Sequence, residues 1–157
     1  MKYYLAYGMN TNIEEMRRRC PDAKSLGPVI VPNYKLAFKT HCDVVNAPGE
    51  SMQCVLWSIT DQCELALDAL EGFPDYYDKR EVKIQYQGRT IRPMIYYMCS
   101  GFDYAAPSEH YLNMVVEGYS EHNIPITQIV TALEDITRCT LSLEKKKPTY
   151  SENLTLS

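Results

Sequence analysis

Glu71 is the first residue whose position in the sequence suggests acid–base chemistry. It closes a helix-like run at the point where Gly72 and Pro74 break the helix. A helix C-terminus carries partial negative charge, so an anionic carboxylate is disfavoured there, and burial would disfavour it further. A carboxyl group with a raised pKa can accept and return a proton near neutral pH. The alternative is a solvated Glu on a polar helix face, which is the commoner role of an isolated Glu.

A glycine turn near the N-terminus is the second segment with chemical potential. A β-prone run over residues 2–7 stops at Gly8 and is followed by a helix start, so that Tyr7, Gly8, Met9 and Asn10 form the junction. Glycine lets the main chain turn sharply and approach a ligand closely, and neighbouring amides can bind a carboxylate or a developing oxyanion. Many strand–glycine–helix junctions are turns and nothing more, so both interpretations stay open at this point.

The common metal, nucleotide and hydrolase motifs do not occur in the sequence. His41, His110 and His122 lack the spacing of a zinc site, and no Asp cluster resembles a calcium loop. Glycine-rich phosphate loops and the Gly-x-Ser-x-Gly elbow are also missing from the sequence. We therefore interpret the histidines as structural or surface residues and expect chemistry that needs no cofactor.

Composition limits the classes of protein to consider. The 157 residues suit one domain, and the net charge of −4 with dispersed basic residues argues against a nucleic-acid partner. The apolar run at residues 3–7 is too short for a signal segment or a membrane span. Six cysteines without a Cys-x-x-Cys pair favour buried free thiols in a reducing compartment. The expectation is a cytoplasmic protein without a membrane partner.

The elements around these residues predict an α+β fold. We expect strands at 2–7, 29–31, 34–39 and 54–59, and a turn-rich loop at 46–49. Two further strands, 77–85 and 89–98, flank a hairpin turn at 86–88.

Capping signals and apolar stripes predict four helices in the same chain. The first is opened by a capping box from Thr11 to Glu14 and runs to about residue 18. The second, capped by Thr60 or Asp61, carries Leu67 and Leu70 on its apolar stripe and ends at Glu71. Ser108 caps the third helix and Pro125 opens the fourth. Residues 1–143 would form the domain, and residues 144–157 a flexible C-terminal tail.

Three blocks in order resemble the gamma-glutamylcyclotransferase-like family over roughly residues 2–135. The first is similar to that family's Tyr-Gly-Ser-Asn turn, the second to its Leu-Asp-x-x-Glu-Gly segment, and the third to its Pro-Ser-x-x-Tyr-Leu helix. They read Tyr4-Leu5-Ala6-Tyr7-Gly8-Met9-Asn10, Leu67-Asp68-Ala69-Leu70-Glu71-Gly72, and Pro107-Ser108-Glu109-His110-Tyr111-Leu112 continuing to Ile124-Pro125. The pairing of the first two is the most specific feature.

The resemblance implies a small mixed β-sheet curled into a partial barrel, with surrounding helices and a cavity at the glycine turn. It implies Glu71 as the general base and the backbone of Tyr7, Gly8, Met9 and Asn10 as the holder of a gamma-glutamyl group. Tyr77 and Tyr111 match the family's pocket tyrosines. Met9 departs from the family pattern, because classical members carry serine there, and this weakens the assignment of a substrate.

The reaction implied is an intramolecular cyclisation, of acyltransferase or lyase type. The α-amine of a gamma-glutamyl amide attacks its own side-chain carbonyl, which yields 5-oxoproline and an amine or amino acid. Gamma-glutamyl amino acids, gamma-glutamylamines and gamma-glutamyl groups on larger molecules stay open as substrates, whereas glutathione is less favoured. A non-catalytic ligand-binding or interaction protein on the same fold is the alternative. The oligomeric state is open, with a homodimer among the options.

Overall fold

The computed structural model describes residues 1–146, which form one curled five-stranded sheet, a separate two-stranded sheet and helices packed around them. The elements in chain order are β1 (Lys2–Ala6), a 3₁₀ turn (Met9–Thr11), α1 (Ile13–Arg19), β2 (Lys24–Lys39), β3 (His41–Ile59), α2 (Asp61–Glu71), β4 (Tyr77–Glu81), β5 (Ile84–Tyr86), β6 (Arg89–Ile91), β7 (Met94–Met98), α3 (Glu109–Glu121) and α4 (Thr127–Lys146).

The five-stranded sheet has the order β2-β3-β1-β7-β4 and does not close into a barrel. Strand β1 is central: it pairs antiparallel with β3 and parallel with β7. Its residues Leu5 and Ala6 are almost completely buried, as expected for a strand that is covered on both faces. The predicted mixed sheet in an α+β fold with a partial barrel is therefore confirmed.

The long hairpin of β2 and β3 replaces several shorter predicted elements. Register shifts between Ser25 and Pro28 and between Pro32 and Tyr34 bend the pair without ending it. The predicted loop at residues 46–49 is wrong, since this segment belongs to β3. Its turn-forming residues lie opposite the second irregularity, where the amide of Gly49 donates to the side chain of Asn33 at 3.1 Å. The turn-forming residues therefore form a bulge within β3.

The second half of the sheet also divides differently from the prediction. The two predicted strands at 77–85 and 89–98 each split into two, which gives β4 with β5 and β6 with β7. The outer pair β4–β7 joins the large sheet, whereas β5–β6 forms the small one. The predicted hairpin turn is present, and Gln87 and Gly88 both have positive φ angles, as a tight two-residue turn requires.

The first helix begins one residue later than predicted. Asn12 is its cap, because the Asn12 side chain accepts a hydrogen bond from the amide of Glu15 at 3.2 Å. The hydroxyl of Thr11 is already used, since it donates to the carbonyl of Gly8 at 2.7 Å. Thr11 therefore stabilises the glycine turn and leaves the capping role to its neighbour.

Helix α3 holds this turn in place by direct contact. A Cβ atom on Gly118 would lie 2.2 Å from the Thr11 Oγ1 atom and 2.6 Å from the Asn12 amide nitrogen. The Asn12 side chain also donates to the carbonyl of Met114 at 3.1 Å. A glycine at 118 is thus required for the helix backbone to approach the turn this closely.

The starts of α2 and α3 and the end of α2 agree with the sequence signals, whereas α4 begins at Thr127, two residues after the predicted start at Pro125. Thr60 caps α2 and Ser108 caps α3, each accepting from an amide three residues later. Helix α2 ends at Glu71, followed by Gly72 in the left-handed conformation with φ of +63°. Leu70, however, is 47% exposed, so the predicted apolar stripe of this helix stops at Leu67.

Three remaining expectations concern the termini and the cysteines. Helix α4 continues to Lys146, past the predicted domain boundary at 143, and the rest of the predicted tail lies outside the described residues. Within residues 1–146, no helix combines the length and apolarity needed to cross a membrane. The six cysteines are free thiols, as expected; four are buried, and Cys99 and Cys139 are partly exposed.

Candidate functional site

A cavity of about 310 Å³ opens where the glycine turn, the end of α2 and the first turn of α3 meet. The seven residues predicted from the sequence all line it: Tyr7, Gly8, Met9, Asn10, Glu71, Tyr77 and Tyr111. They come from three remote parts of the chain, so the fold brings together what the sequence keeps apart. The remaining lining residues are Tyr4, Arg19, His41, Cys42, Leu70, Tyr76 and Tyr96.

Glu71 is the acid in the lining of this cavity. Burial raises the pKa of its carboxyl group from 4.5 to about 7, while the positive charge of Arg19 and a hydrogen bond from Asn10 oppose part of that rise. The Asn10 Nδ2 atom lies 3.4 Å from Glu71 Oε1. Near neutral pH the group therefore exists in both protonation states, which is the condition for taking up and returning a proton.

Asn10 lies between a cation and the carboxyl group of Glu71. Arg19 donates from Nη1 to the Asn10 side-chain oxygen. Because arginine is only a donor, this contact fixes the amide so that Nδ2 points the other way. That nitrogen donates to the Tyr4 hydroxyl at 3.0 Å and approaches Glu71. The backbone oxygen of Asn10 accepts from the Trp57 indole at 3.0 Å, which anchors the turn to β3.

Gly8 is required at its position by the closeness of β3 and α3. A Cβ atom built on it would lie 2.8 Å from the Cβ of Cys42 and 3.1 Å from both the Cys42 sulfur and the Tyr111 hydroxyl oxygen. The carbonyl of Gly8 accepts two hydrogen bonds from Thr11, one from its amide at 3.1 Å and one from its hydroxyl at 2.7 Å. The turn is therefore tightly packed and its carbonyl is fully engaged.

The peptide of Cys42 holds both predicted pocket tyrosines. Tyr77 donates its hydroxyl to the Cys42 carbonyl at 2.6 Å, and the Cys42 amide donates to the Tyr111 hydroxyl at 3.0 Å. The neighbouring Asp43 is buried and accepts from the amide of Met98 at 2.8 Å, which ties this end of the hairpin to β7. Burial raises the pKa of the Cys42 thiol to about 12, so this thiol is protonated at neutral pH.

Tyr7 and Met9 complete the predicted set in different ways. Tyr7 is buried, donates its hydroxyl to the carbonyl of Tyr96 at 2.7 Å, and accepts at its own carbonyl from the Tyr119 hydroxyl at 2.7 Å. It is therefore a fixed wall of the cavity. Met9 is half-buried and lines the cavity.

Sequence reasoning missed seven lining residues. His41 was interpreted as an ordinary structural or surface residue, yet it lies at the cavity, with Nδ1 2.9 Å from the Tyr76 hydroxyl. Arg19 ends α1, and nothing local in the sequence marks it as a partner of Asn10. The position of Leu70 next to Glu71 could have indicated a place in the cavity. Because Leu70 was assigned to the buried apolar stripe of α2, its exposure was not predicted.

Comparisons with known proteins identify the family of the chain. Residues 4–114 match the family model described as gamma-glutamyl cyclotransferase, AIG2-like. That match spans more than half of the chain, and the chain belongs to this family.

Named relatives extend the likeness to the fold. The chain is 28% identical over 137 residues to gamma-glutamylcyclotransferase of Homo sapiens, which covers 78% of this chain and 72% of the relative. A solved structure of a gamma-glutamyl cyclotransferase superimposes with a TM-score of 0.72 at 25% identity, covering 88% of this chain and 86% of the other. YkqA from Bacillus subtilis shares the fold with a TM-score of 0.71 at 17% identity, over 88% and 55% of the two chains.

Proposed function

We propose that the protein is an enzyme that cyclises a gamma-glutamyl amide to 5-oxoproline and releases an amine or amino acid. Membership of the family supports a gamma-glutamylcyclotransferase-type function in general terms. The observation that carries the specific proposal is the half-buried carboxyl group of Glu71, with its pKa raised to about 7, inside a cavity that also contains the glycine turn.

The proposed reaction needs one group that moves a proton twice. The ionised Glu71 carboxylate removes a proton from the substrate's α-ammonium group, and the freed amine attacks the side-chain carbonyl carbon to form a tetrahedral intermediate. The protonated Glu71 then returns this proton to the leaving nitrogen, and the original amide bond breaks. The attacking nitrogen gives up its second proton through the regenerated carboxylate to the released amine, so the lactam is neutral and the amine leaves as an ammonium ion. The lactam bond replaces the amide bond, and the carboxylate is regenerated. A pKa near the working pH suits both halves of this cycle.

The glycine turn is proposed to stabilise the oxyanion of the intermediate. Hydrogen bonds within the turn run from Thr11 and Asn12 back to the carbonyls of Gly8 and Met9. The amides of Gly8, Met9 and Asn10 have no such acceptor in the described part of the chain. Preorganised backbone amides of this kind are the usual donors to a developing negative charge.

The rigid walls are proposed to fold the substrate into its reactive shape. Both reacting groups belong to one small molecule, so positioning accounts for much of the attainable acceleration. Tyr77 and Tyr111, fixed on the Cys42 peptide, and Tyr7, fixed on β7, form walls that do not need to reorganise. The cavity volume of about 310 Å³ is suitable for one small amide.

The test compares Glu71→Gln with Glu117→Gln, an equal loss of charge at an exposed site on α3. The purified proteins are incubated with gamma-glutamyl amino acids and gamma-glutamylamines, and 5-oxoproline is measured by mass spectrometry. We expect turnover by the wild type and by Glu117→Gln, and a loss of about 10²–10⁴-fold in Glu71→Gln. Retained turnover in Glu71→Gln would remove Glu71 from its role.

The competing function, a small-ligand-binding or interaction protein, makes a different prediction in the same experiment. Substrates would bind to the wild type, as measured by calorimetry, without release of 5-oxoproline from any member of the panel. Met9, in place of the family's serine, is the feature that favours this alternative.

A further inference from the structure

Three side chains of the cavity lining, together with Phe102 packed against one of them, form a cluster that is here called the apolar rim: His41, Leu70, Tyr76 and Phe102. Tyr76 is its centre. Its ring contacts Phe102 edge-on at 5.0 Å between centroids, and it lies 6.2 Å from the His41 ring at 85°. The four residues come from α2, the loop after it, the start of β3 and the segment after β7, so the fold assembles the rim from separate parts.

Two members of the rim are large apolar side chains that are open to solvent. Leu70 is 47% exposed and Phe102 is 41% exposed. Single exposed apolar residues are normal on a protein surface. Here, however, they flank a cluster of contacting rings that borders the cavity, and Leu70 adjoins Glu71 in sequence. Several apolar groups gathered around a polar cavity are typical of a ligand-binding surface.

The position of the rim determines which part of the substrate reaches it. The rim inference rests on the proposed function, in which the compact gamma-glutamyl group meets Glu71 and the glycine turn. That end of the cavity is closed by buried residues, including Tyr4 and Tyr7. The group attached to the leaving nitrogen must then extend toward the solvent-exposed part of the lining, which contains His41, Leu70 and the half-buried Tyr76.

The charges around the cavity narrow the chemistry further. Among the described lining residues, Arg19 is the permanently charged base and Glu71 is the acid. Arg19 already donates to Asn10 and pairs with Glu15 at 3.4 Å. The nitrogen of His41 that faces Tyr76 is hydrogen-bonded at 2.9 Å. The four rim side chains therefore offer ring faces and a leucine side chain, and none of the four is a carboxylate.

We infer that the apolar rim binds the leaving amine and selects gamma-glutamyl amides whose amine carries an aromatic or branched apolar side group. Transfer of such a group from water to ring and leucine surfaces is favourable, and ring-edge contacts add to it. An amine with a cationic side group loses hydration against these four side chains, none of which is a carboxylate.

The test uses three substrates that differ only in the leaving amino acid: gamma-glutamyl-phenylalanine, gamma-glutamyl-glycine and gamma-glutamyl-lysine linked through its α-amine. We expect kcat/KM for the phenylalanine compound to exceed both others by about 10-fold or more, mainly through a lower KM. Equal values for the three would overturn the rim inference and leave the proposed function intact. No 5-oxoproline from any of them would overturn both.

Substitutions in the rim test whether these side chains cause the substrate preference. Phe102→Ala and Leu70→Gln are each expected to lower the phenylalanine-to-glycine ratio of kcat/KM by about threefold or more. The control is Ile30→Ala, which changes an exposed apolar side chain on β2 outside the cavity and should leave the ratio unchanged. Thermal unfolding verifies that each variant is folded. An unchanged ratio in both folded rim variants would overturn the inference.

Discussion

The floor of the cavity, which contains Tyr4, Tyr7, Gly8 and Asn10, is built differently from the apolar rim. On the floor, Tyr4, Tyr7 and Asn10 are buried, and their polar atoms have defined hydrogen-bond partners in the strands or in neighbouring side chains. On the rim, the Tyr76 ring makes an edge contact with Phe102 and its hydroxyl is hydrogen-bonded to His41, while Phe102 and Leu70 are exposed to solvent. The floor is thus part of the protein core, whereas the rim is a surface.

This difference predicts separate roles, with turnover depending on the floor and substrate preference depending on the rim. Breaking a buried hydrogen bond costs about 1–3 kcal/mol, because the abandoned partner stays unsatisfied. A ring-edge contact contributes about 0.5–1.5 kcal/mol beyond the area it buries. Changes in the floor should therefore affect folding and turnover together, while changes in the rim should alter the choice of substrate alone.

The strongest test of the floor is Gly8→Ala. The new methyl group would lie 2.8 Å from the Cys42 Cβ, so the hairpin or the turn must shift. We expect a loss of about 1–3 kcal/mol in the free energy of unfolding, measured in urea, together with a fall in kcat of about 10-fold or more. The turnover falls because the Cys42 peptide also positions Tyr77 and Tyr111.

The matched control for Gly8→Ala is Gly49→Ala. Gly49 has a φ of +83° and open space around its Cα, so alanine there introduces backbone strain without a collision. It should reduce stability by about 1–2 kcal/mol and leave turnover unchanged, since it lies outside the cavity. Wild-type stability and turnover in Gly8→Ala would contradict the account of a tightly packed floor.

Glu71 is expected to oppose folding at alkaline pH, because its pKa in the folded state is above its unfolded value. The proton-bound form is favoured in the native protein, so its stabilising effect is complete below about pH 4.5 and is lost as the pH rises through about 7. Glu71→Gln has no carboxyl group to ionise, so its free energy of unfolding should not show this decrease. The variant should exceed the wild type in free energy of unfolding by about 1–3 kcal/mol more at pH 8 than at pH 4.

Urea unfolding at the two pH values measures this effect directly. Glu117→Gln, which changes an exposed carboxylate, serves as the control and should show the same difference from the wild type at both pH values. If Glu71→Gln also gave a pH-independent difference, the carboxyl group would not be desolvated as the geometry indicates.

Local signals in the sequence identified the floor better than the rim. Turns and helix caps depend on residues adjacent in the sequence, and four such positions could be identified: Gly8, Thr60, Gly72 and Ser108. The glycine turn and the ends of α2 and α3 could therefore be predicted. The family motifs then linked these places to one cavity. The roles assigned to the lining residues stay predictions.

The rim and its surroundings depend on contacts that a single sequence does not display. His41, at the start of β3, meets Tyr76, which follows α2 and lies 35 residues away in the sequence, through a tertiary contact. Leu70 has the same apolar character as a core residue, so composition could not reveal its exposure. The loop predicted at residues 46–49 was wrong for a related reason: strand pairing with β2 overrides local turn propensity.

The smallest expected effect concerns Arg19, which acts on Glu71 both through Asn10 and through its charge. Arg19→Met removes a positive charge that lowers the Glu71 pKa, so that pKa should rise. Because the reaction needs the ionised carboxylate first, the acidic limb of the kcat/KM profile should move to higher pH. At pH 6 we expect kcat/KM to fall by about 3- to 10-fold, with a smaller change at pH 8.5.

Two further variants distinguish orientation from charge at this position. Arg19→Lys keeps the charge but loses the forked donor, so it should retain the position of the acidic limb and reduce kcat at all pH values. Arg18→Met, whose arginine is 68% exposed and pairs with Glu15, removes a neighbouring charge outside the cavity lining and should leave the profile unmoved. An acidic limb that stays in place in Arg19→Met would show that the floor sets the Glu71 pKa by burial alone. Arg19 would then be a structural support of the glycine turn.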